Sequence, residues 1–315
     1  MNAAPQGPRV PAFVVVGAQK AGTTTLHEWL ASDPAFSVPA IKETHFFTDA
    51  TLREKGLSWY TSQFPENGGL RGEVDPDYLS SPEAARDLRS VVGDVPIVIL
   101  MRDPIRRSHS QYQMSVRRGL EQRPFADALE AEFTLLANGE RASDHLDYLW
   151  RSLYSRHIAT YRSLFSHVRV YRFEDLVTGS PESRQDFYED FVRFIFQDPE
   201  RIVRAPSTHQ ANPAGRARNG ALARLIWDRG SATRLRRFVR TAIPSETVRA
   251  SAARKLDKLN RADGAATGKL ELADVPVGVR QLLLEDIALT ATVTGLQLDG
   301  WERSLTPNEG AAQNG

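Results

Sequence analysis

The strongest chemical signal in the sequence is a loop rich in glycine and threonine that follows a short apolar run. Gly17 and Gly22 have the separation of the two glycines in a Walker A loop, and Thr24 stands at its Ser/Thr position. Backbone N–H groups of such a loop, together with the start of the following helix, can bind a phosphate. Thr23 occupies the place of the lysine that contacts a γ-phosphate, whereas Lys20 comes earlier in the loop. The loop therefore predicts an anion site suited to a 5′-phosphate rather than to ATP.

A second group that could bind an anion follows another apolar run. Residues 96–101 consist only of Pro, Ile, Val, Leu and Met, which predicts a buried strand. Arg102 comes directly after this strand, at the carboxyl end, where the ligands of open α/β sheets bind. Its guanidinium can bind a phosphate through two N–H groups, and Ser110 lies about two helical turns further along the chain. Taken alone, Arg102 could also be a surface charge.

The elements that must position these groups alternate between strands and helices. Besides 96–101, the β-branched run at 13–16 and the segment at 168–173 predict strands. Strands that alternate with helices of ten or more residues indicate βαβ crossovers and a mainly parallel sheet. We therefore predict a P-loop-like, three-layer α/β fold whose central sheet is flanked by helices. The predicted helices cover residues 23–31, 82–91, 104–118, 153–165, 183–196 and 277–295.

The sequence predicts one domain with polar ends. A single domain fits residues 10–302, with loose tails of small and polar residues at 1–9 and 304–315. Residues 119–147 are polar and lack a strand pattern, which predicts a substrate-side insertion or lid. The arginine-rich stretch at 216–240 also has an apolar stripe, so we expect a solvated helix face there rather than a nucleic-acid site.

Composition excludes several classes of protein. The 315 residues carry 40 Lys and Arg against 39 Asp and Glu, so a net charge of +1 gives no basic field for nucleic acid. Cysteine is absent, which excludes disulfides, thiolate metal ligands and a cysteine nucleophile. The longest mainly apolar stretch without a charge, residues 287–298, is shorter than the about 20 residues that a membrane-spanning helix needs. The run at 10–18 continues into the glycine loop without a cleavage site for a signal peptide, and we expect a soluble cytoplasmic protein.

Four blocks of the sequence resemble sulfotransferases that use 3′-phosphoadenosine 5′-phosphosulfate. The loop QKAGTTTL is similar to the 5′-phosphosulfate loop of these enzymes. Three further blocks follow in the order found in the heparan sulfate branch of the family: KETHFF with GLSWY, LMRDP with two serines, and RSLY, within residues 42–60, 100–110 and 151–154. The resemblance covers roughly residues 12–220, and residues 296–301 resemble the ending of many bacterial members.

The resemblance implies a co-substrate with a phosphate on both the 3′ and the 5′ position of its ribose. This is 3′-phosphoadenosine 5′-phosphosulfate, which would leave as 3′-phosphoadenosine 5′-phosphate. Lys20 would stabilise the oxygen that bridges to the leaving nucleotide, and Arg216 lies in a stretch similar to the late glycine–arginine loop of the family. No metal ion is expected. The residues implied in cofactor binding are Lys20, Ala21, Gly22, Thr23, Thr24, Thr25, Arg102, Ser110, Gly215 and Arg216.

Transfer of a sulfuryl group to an alcohol needs a base for the hydroxyl proton and a cation near the leaving oxygen. By resemblance to the heparan sulfate branch, Glu43 is the base. His45 points to the same side if residues 43–47 are extended, because side chains alternate along a strand. His45 would then assist Glu43, or would be the base itself, as in the cytosolic small-molecule sulfotransferases. The plain alternative is that Glu43 only pairs with Lys42.

A block at residues 72–78 is similar to the acceptor side of the heparan sulfate enzymes, and it implies acceptor contacts for Glu73, Asp75 and Tyr78. Relative to the family pattern Glu-Lys-Thr/Ser-Pro-x-Tyr, Val74 replaces a lysine and Asp75 replaces a hydroxyl residue. A positive group is lost and a negative group is gained. We therefore expect the acceptor to be a small-molecule, sugar or lipid-linked hydroxyl rather than an anionic polysaccharide. No feature predicts a particular oligomeric state.

Two other functions stay open from the sequence. A P-loop kinase or other nucleotide phosphotransferase would explain the loop, but the displaced Lys20 and the lack of a strand that ends in a metal-holding aspartate count against it. A non-catalytic nucleotide-binding or arginine-rich module would bind its ligand without turnover. A magnesium requirement would favour the first function, and binding without turnover would favour the second.

Overall fold

Five parallel strands form the central sheet. The computed structural model describes residues 10–143, 145–206, 216–217, 261–262 and 270–306. The strands lie in the order β2-β3-β1-β4-β5, and every pairing is parallel. Every residue of β1 and β4 is buried, as expected of strands whose two faces are both covered. The strands are β1 (Phe13–Gly17), β2 (Phe36–Ser37), β3 (Leu70–Val74), β4 (Ile97–Met101) and β5 (Val168–Arg172).

Helices follow the strands along the chain, and their starts carry recognisable caps. Ser81 accepts a hydrogen bond from the backbone N–H of Ala84 at 3.1 Å, and Ser180 accepts one from Ser183 at 3.2 Å; in both helices proline follows the cap. The helices are α1 (Thr23–Ser32), α2 (Ala50–Arg53), α3 (Gly56–Thr61), α4 (Pro82–Val92), α5 (Pro104–Arg118), α6 (Phe125–Ala137), α7 (Tyr154–Leu164), α8 (Pro181–Phe196), α9 (Val277–Thr294) and α10 (Asp299–Glu302). Shorter helical turns are Trp150–Ser152, Glu174–Thr178 and Leu272–Asp274.

Two compact units divide the chain. The first contains residues up to 104, then 153–211 and 285–298, and so holds the whole five-stranded sheet with α1 to α4, α7 and α8. The second contains residues 105–152, 212–284 and 299 onward. It holds most of α5, all of α6 and α10, and an antiparallel pair of short strands, β6 (Arg216–Ala217) and β7 (Arg261–Ala262).

A buried arginine organises the second unit. Arg107 is fully buried, and its Nε donates to Ser152 Oγ at 2.6 Å while its Nη1 donates to Gln111 Oε1 at 2.8 Å. Its Nη2 also bonds the carbonyl of Tyr148, which accepts a second bond from Ser108 Oγ at 2.9 Å. The segment before α7 is therefore fixed against α5 by hydrogen bonds that satisfy a buried cation.

The predicted fold class is confirmed, and three predicted strands appear as β1, β4 and β5. The sequence reading missed β2 and β3. Residues 119–147 contain α6, and their role as an insertion or lid stays a prediction. The single-domain prediction likewise stays a prediction. The tails at 1–9 and 307–315, together with 218–240 of the arginine-rich stretch, lie outside the described residues.

Candidate active site

Two glycines allow the loop between β1 and α1 to fold as it does. Gly22, just before α1, has a positive φ of 88°, a region that L side chains rarely adopt. A Cβ at Gly22 would also lie 3.1 Å from the Phe173 ring. A Cβ at Gly17 would lie only 2.5 Å from the side chain of Leu79, so this end of β1 needs glycine for close packing. The loop is thus held tightly against its neighbours.

Residues within this loop and in the first turn of α1 could bind an anion. Lys20 is half-buried and has a positive φ of 72°, which is uncommon for a side chain of its kind. Thr23 and Thr25 are buried, whereas Thr24 is half-buried. The first turn of α1 contains no acidic residue, so nothing opposes the partial positive charge of the helix N-terminus.

Arg102 lies against this loop, at the carboxyl end of β4. Its Nη1 donates a hydrogen bond to the carbonyl of Lys20 at 3.3 Å, and its guanidinium lies 4.5 Å from the centre of the Phe173 ring. The hydroxyl of Tyr154 donates to the Arg102 carbonyl at 2.9 Å. Strands β1 and β4 are neighbours, and the order in which the chain adds strands reverses between them, since β2 and β3 lie on one side of this pair and β5 lies on the other. Ligands of open α/β sheets bind at such a switch point.

The segment after β2 brings Glu43 and His45 together, but not through an extended strand. His45 has a positive φ of 52°, and the chain turns there, so the prediction of an extended backbone over 43–47 is wrong. Glu43 Oε2 still lies 3.8 Å from His45 Nε2. Lys42 pairs with Glu43, as the plain alternative in the sequence reading expected. Both predicted acid–base residues are therefore neighbours within one charged cluster.

Two aspartates on the opposite side of the ring complete this cluster. Asp75 Oδ2 and Asp77 Oδ2 lie 3.5 and 3.4 Å from His45 Nδ1. Asp75 is buried at the end of β3, and it also accepts the backbone N–H of His45 at 2.7 Å. The cluster of Lys42, Glu43, His45, Asp75 and Asp77 is called the carboxylate–histidine cluster below.

The charges of this cluster shift the pKa values of its members. Burial would lower the pKa of His45, but the carboxylates of Asp75, Asp77 and Glu43 raise it above its usual value. Burial would raise the pKa of Glu43, yet the neighbouring Lys42 lowers it below the usual range. Burial raises the pKa of Asp75 to about 6. The raised pKa of His45 and the lowered pKa of Glu43 both mean that a charged imidazole and an ionised Glu43 stabilise each other.

A second buried carboxylate fixes the backbone on which Glu43 and His45 lie. Glu73 is fully buried in β3 and accepts hydrogen bonds from Tyr60 at 2.5 Å, from Tyr78 at 3.0 Å and from Thr44. Burial raises its pKa to about 7. Because Glu73, Asp75 and Tyr78 are buried among protein groups, their predicted contact with an acceptor stays a prediction; what the structure shows is that they hold Thr44 and His45.

Several residues near the site were not singled out by the sequence. Gln19 Nε2 donates to Asp77 Oδ1 at 3.2 Å and so links the glycine loop to the carboxylate–histidine cluster. The only sequence signal for Asp77 was its place two residues after Asp75. Within the described ranges, His45, Asp75 and Asp77 also place three possible ligand atoms within 4.8 Å of one another, but these atoms already pair with each other and we assign no metal to them.

Of the remaining predicted cofactor residues, Ala21 is buried in the loop next to β1. Ser110 is half-buried on α5 and belongs to the second unit. Arg216 begins the short strand β6, whereas Gly215 lies outside the described residues. None of the helices in the described part of the chain is both long and apolar enough to cross a membrane.

A parallel sheet with a glycine loop after its central strand defines the P-loop-like α/β class, and comparison with known proteins narrows this class. The chain is 34% identical, over 113 residues, to membrane-associated sulfotransferase kil1 of Dictyostelium discoideum. This match covers 34% of this chain and 24% of that protein. The chain is also 29% identical, over 157 residues, to heparan sulfate glucosamine 3-O-sulfotransferase 3B1 of Mus musculus. This match covers 48% of this chain and 37% of that protein. The resemblance to sulfotransferases is thus confirmed.

Structure comparison supports the same fold. A crystal structure of a sulfotransferase from Alicyclobacillus acidocaldarius matches with a TM-score of 0.61 at 18% identity, covering 94% of this chain and all of that one. No protein-family model matches the chain. The matched segments span less than two fifths of the length of these two curated relatives.

Proposed function

We propose that the protein is a sulfotransferase that moves a sulfuryl group from 3′-phosphoadenosine 5′-phosphosulfate to a hydroxyl group. The observation that carries this proposal is the contact between two groups suited to anions. Lys20 lies in the loop after β1, Arg102 lies at the end of the neighbouring β4, and they meet through the 3.3 Å hydrogen bond from Arg102. A nucleotide with a phosphate at both 5′ and 3′ positions needs two such groups side by side.

The donor would be bound mainly through its two phosphate-bearing ends. The backbone of residues 20–25 and the threonine hydroxyls would hold the 5′ end, since the N-terminus of α1 favours negative charge. Arg102 would bind the 3′-phosphate, and the roles that the resemblance implies for Ser110, Gly215 and Arg216 stay predictions. A guanidinium suits this role because it offers several N–H donors in a fixed plane.

The transfer step follows from the groups around the acceptor oxygen. As that oxygen attacks sulfur, its proton passes to Glu43, while the bond between sulfur and the bridging oxygen of the nucleotide breaks. The nucleotide leaves as 3′-phosphoadenosine 5′-phosphate, and the Lys20 ammonium stabilises the charge that develops on the bridging oxygen. Glu43 is in the form that can accept a proton, because its lowered pKa keeps it ionised at neutral pH. His45 would stabilise the ionised form of Glu43.

The acceptor side favours a substrate without many negative charges. Val74 is buried in β3 and offers no positive group, while Glu43, Asp75 and Asp77 bring three carboxylates to the cluster. A polysulfated chain would be repelled by them. We propose a small-molecule, sugar or lipid-linked alcohol as the acceptor.

The test is an acceptor screen with labelled phosphosulfate donor, followed by intact-mass analysis of the products. Transfer of one sulfuryl group to an uncharged alcohol, without added metal, is the expected result. Magnesium-dependent transfer of phosphate from ATP would instead identify a phosphotransferase. Tight binding of 3′-phosphoadenosine 5′-phosphate with no transfer to any acceptor would identify a non-catalytic nucleotide-binding module.

A further inference from the structure

The side chain of Asp77 lies between the glycine loop and the proposed base. Its Oδ1 accepts the hydrogen bond from Gln19 Nε2 at 3.2 Å, and its Oδ2 lies 3.4 Å from His45 Nδ1. Gln19 directly precedes Lys20 in the loop. One carboxylate therefore joins the part of the protein proposed to bind the donor with the part proposed to activate the acceptor.

The two aspartates that face His45 differ in what else they hold. Both carboxylate oxygens of Asp75 accept backbone N–H groups, from His45 at 2.7 Å and from Asp77 at 3.2 Å, and Asp75 is fully buried. Asp75 thus fixes the course of the backbone. The side chain of Asp77 is 23% exposed and contacts two side chains instead, those of Gln19 and His45.

The position of Asp77 fixes the orientation of the imidazole ring. A carboxylate next to Nδ1 favours a proton on that nitrogen, as in other sites where a histidine is oriented by a carboxylate. The opposite ring nitrogen, Nε2, then faces Glu43 Oε2 at 3.8 Å. The charged groups around the ring are Lys42, Glu43, Asp75 and Asp77.

We propose that Asp77 is a positioning residue of the reaction, which holds His45 with Nε2 turned toward Glu43 and ties this pair to the loop that carries Lys20. This inference rests on the proposed function, because it assigns a role within that reaction. Asp77 acts through His45 and Gln19 and does not itself take the proton. Its value to catalysis lies in alignment, since small displacements of reacting groups can cost about 10²-fold in rate.

The test compares Asp77→Asn with Asp77→Glu, and uses Asp87→Asn as a matched control. Asp87 is a half-buried aspartate on α4 that pairs with Arg53 rather than with a member of the carboxylate–histidine cluster. The titration of the His45 ring is followed by NMR on the full chain, with and without 3′-phosphoadenosine 5′-phosphate. Asp77→Asn should lower the His45 midpoint by about one pH unit, whereas Asp77→Glu and Asp87→Asn should leave it close to that of the wild type.

Turnover supplies the second measurement, with any acceptor that the screen identifies. Asp77→Asn should lower kcat about 10- to 100-fold, with little change in the KM for the donor, and Asp77→Glu should recover part of the loss. An unchanged His45 midpoint in Asp77→Asn would overturn the proposal, as would equal kcat values for Asp77→Asn and Asp87→Asn. If the wild type fails to bind 3′-phosphoadenosine 5′-phosphate, the proposed function fails, and the nucleotide-free titration still decides the role of Asp77.

Discussion

Replacing Arg102 with alanine should separate the two ends of the nucleotide. In the structure the guanidinium donates a hydrogen bond to the Lys20 carbonyl, at 3.3 Å, and lies 4.5 Å from the centre of the Phe173 ring. This bond is long, so we place it at the weak end of the usual range, about 0.5 kcal/mol, and bracing of the loop through it accounts for about a twofold loss of affinity. A charge-assisted bond to a 3′-phosphate would add about 1.5–3 kcal/mol, or about 10- to 150-fold.

Calorimetry with two nucleotides measures these contributions separately. Binding of 3′-phosphoadenosine 5′-phosphate to Arg102→Ala should weaken by the larger factor, and binding of adenosine 5′-monophosphate, which lacks the 3′-phosphate, only by about twofold. Arg86→Ala is the matched control, because Arg86 is an exposed arginine on α4 that pairs with Glu83. Equal weakening for both nucleotides would show that Arg102 only braces the loop, and the assignment of the 3′-phosphate to Arg102 would be refuted.

Four further predictions concern the chemical step, the metal requirement and one buried carboxylate. Glu43→Gln should lower kcat about 10²–10⁴-fold at unchanged nucleotide affinity, because an amide cannot accept the hydroxyl proton; a near-normal kcat would move the base to His45. The pKa of Glu43 is lowered and that of His45 raised above 6.5, so with Glu43 as base kcat should persist below that pH, whereas a rate that appears only above it would identify His45. Treatment with EDTA should leave turnover unchanged. A loss of turnover that added magnesium restores would contradict the proposed donor. In the second unit, burial raises the pKa of Glu132 from 4.5 to about 7, so the folded protein holds this proton more tightly than the unfolded chain does. The free energy of unfolding should therefore fall as the pH rises between those values, by at most about 3 kcal/mol, and urea unfolding of Glu132→Gln should lack this slope.

The sequence predicted the strands and helices whose residues carry a recognisable pattern within their own segment of the chain. The runs at β1 and β4 are apolar throughout. The two glycines of the loop between β1 and α1 have the separation found in a Walker A loop. Strand β3 has the sequence LRGEV, in which charged residues interrupt the apolar pattern. Glu73 is nonetheless buried there, because the hydroxyl groups of Thr44, Tyr60 and Tyr78 donate hydrogen bonds to it.

The sequence predicted which residues belong to the candidate site, but not all of the contacts between their side chains. Glu43, His45, Lys20 and Arg102 were named from motif and resemblance, and the structure places the first two together and the last two together. The approach of Asp77 to His45 depends on how β3 ends beside β1, which no local pattern encodes. The turn at His45 depends on a positive φ. A glycine at this position would have indicated such a conformation in the sequence, whereas a histidine does not.

The left-handed backbone at Lys20 and His45 has a consequence for engineering. Among the described residues, only three that are not glycine have a positive φ, and two of them are these proposed catalytic residues. Such a conformation costs a side chain about 1–2 kcal/mol, which glycine would not pay. A library selected for heat resistance alone would therefore enrich glycine at position 20, and its most robust members would lack the ammonium. At position 45 the ion pairs of the imidazole with Glu43, Asp75 and Asp77 oppose the same exchange. Selection in this protein should score turnover in the same round as thermal tolerance.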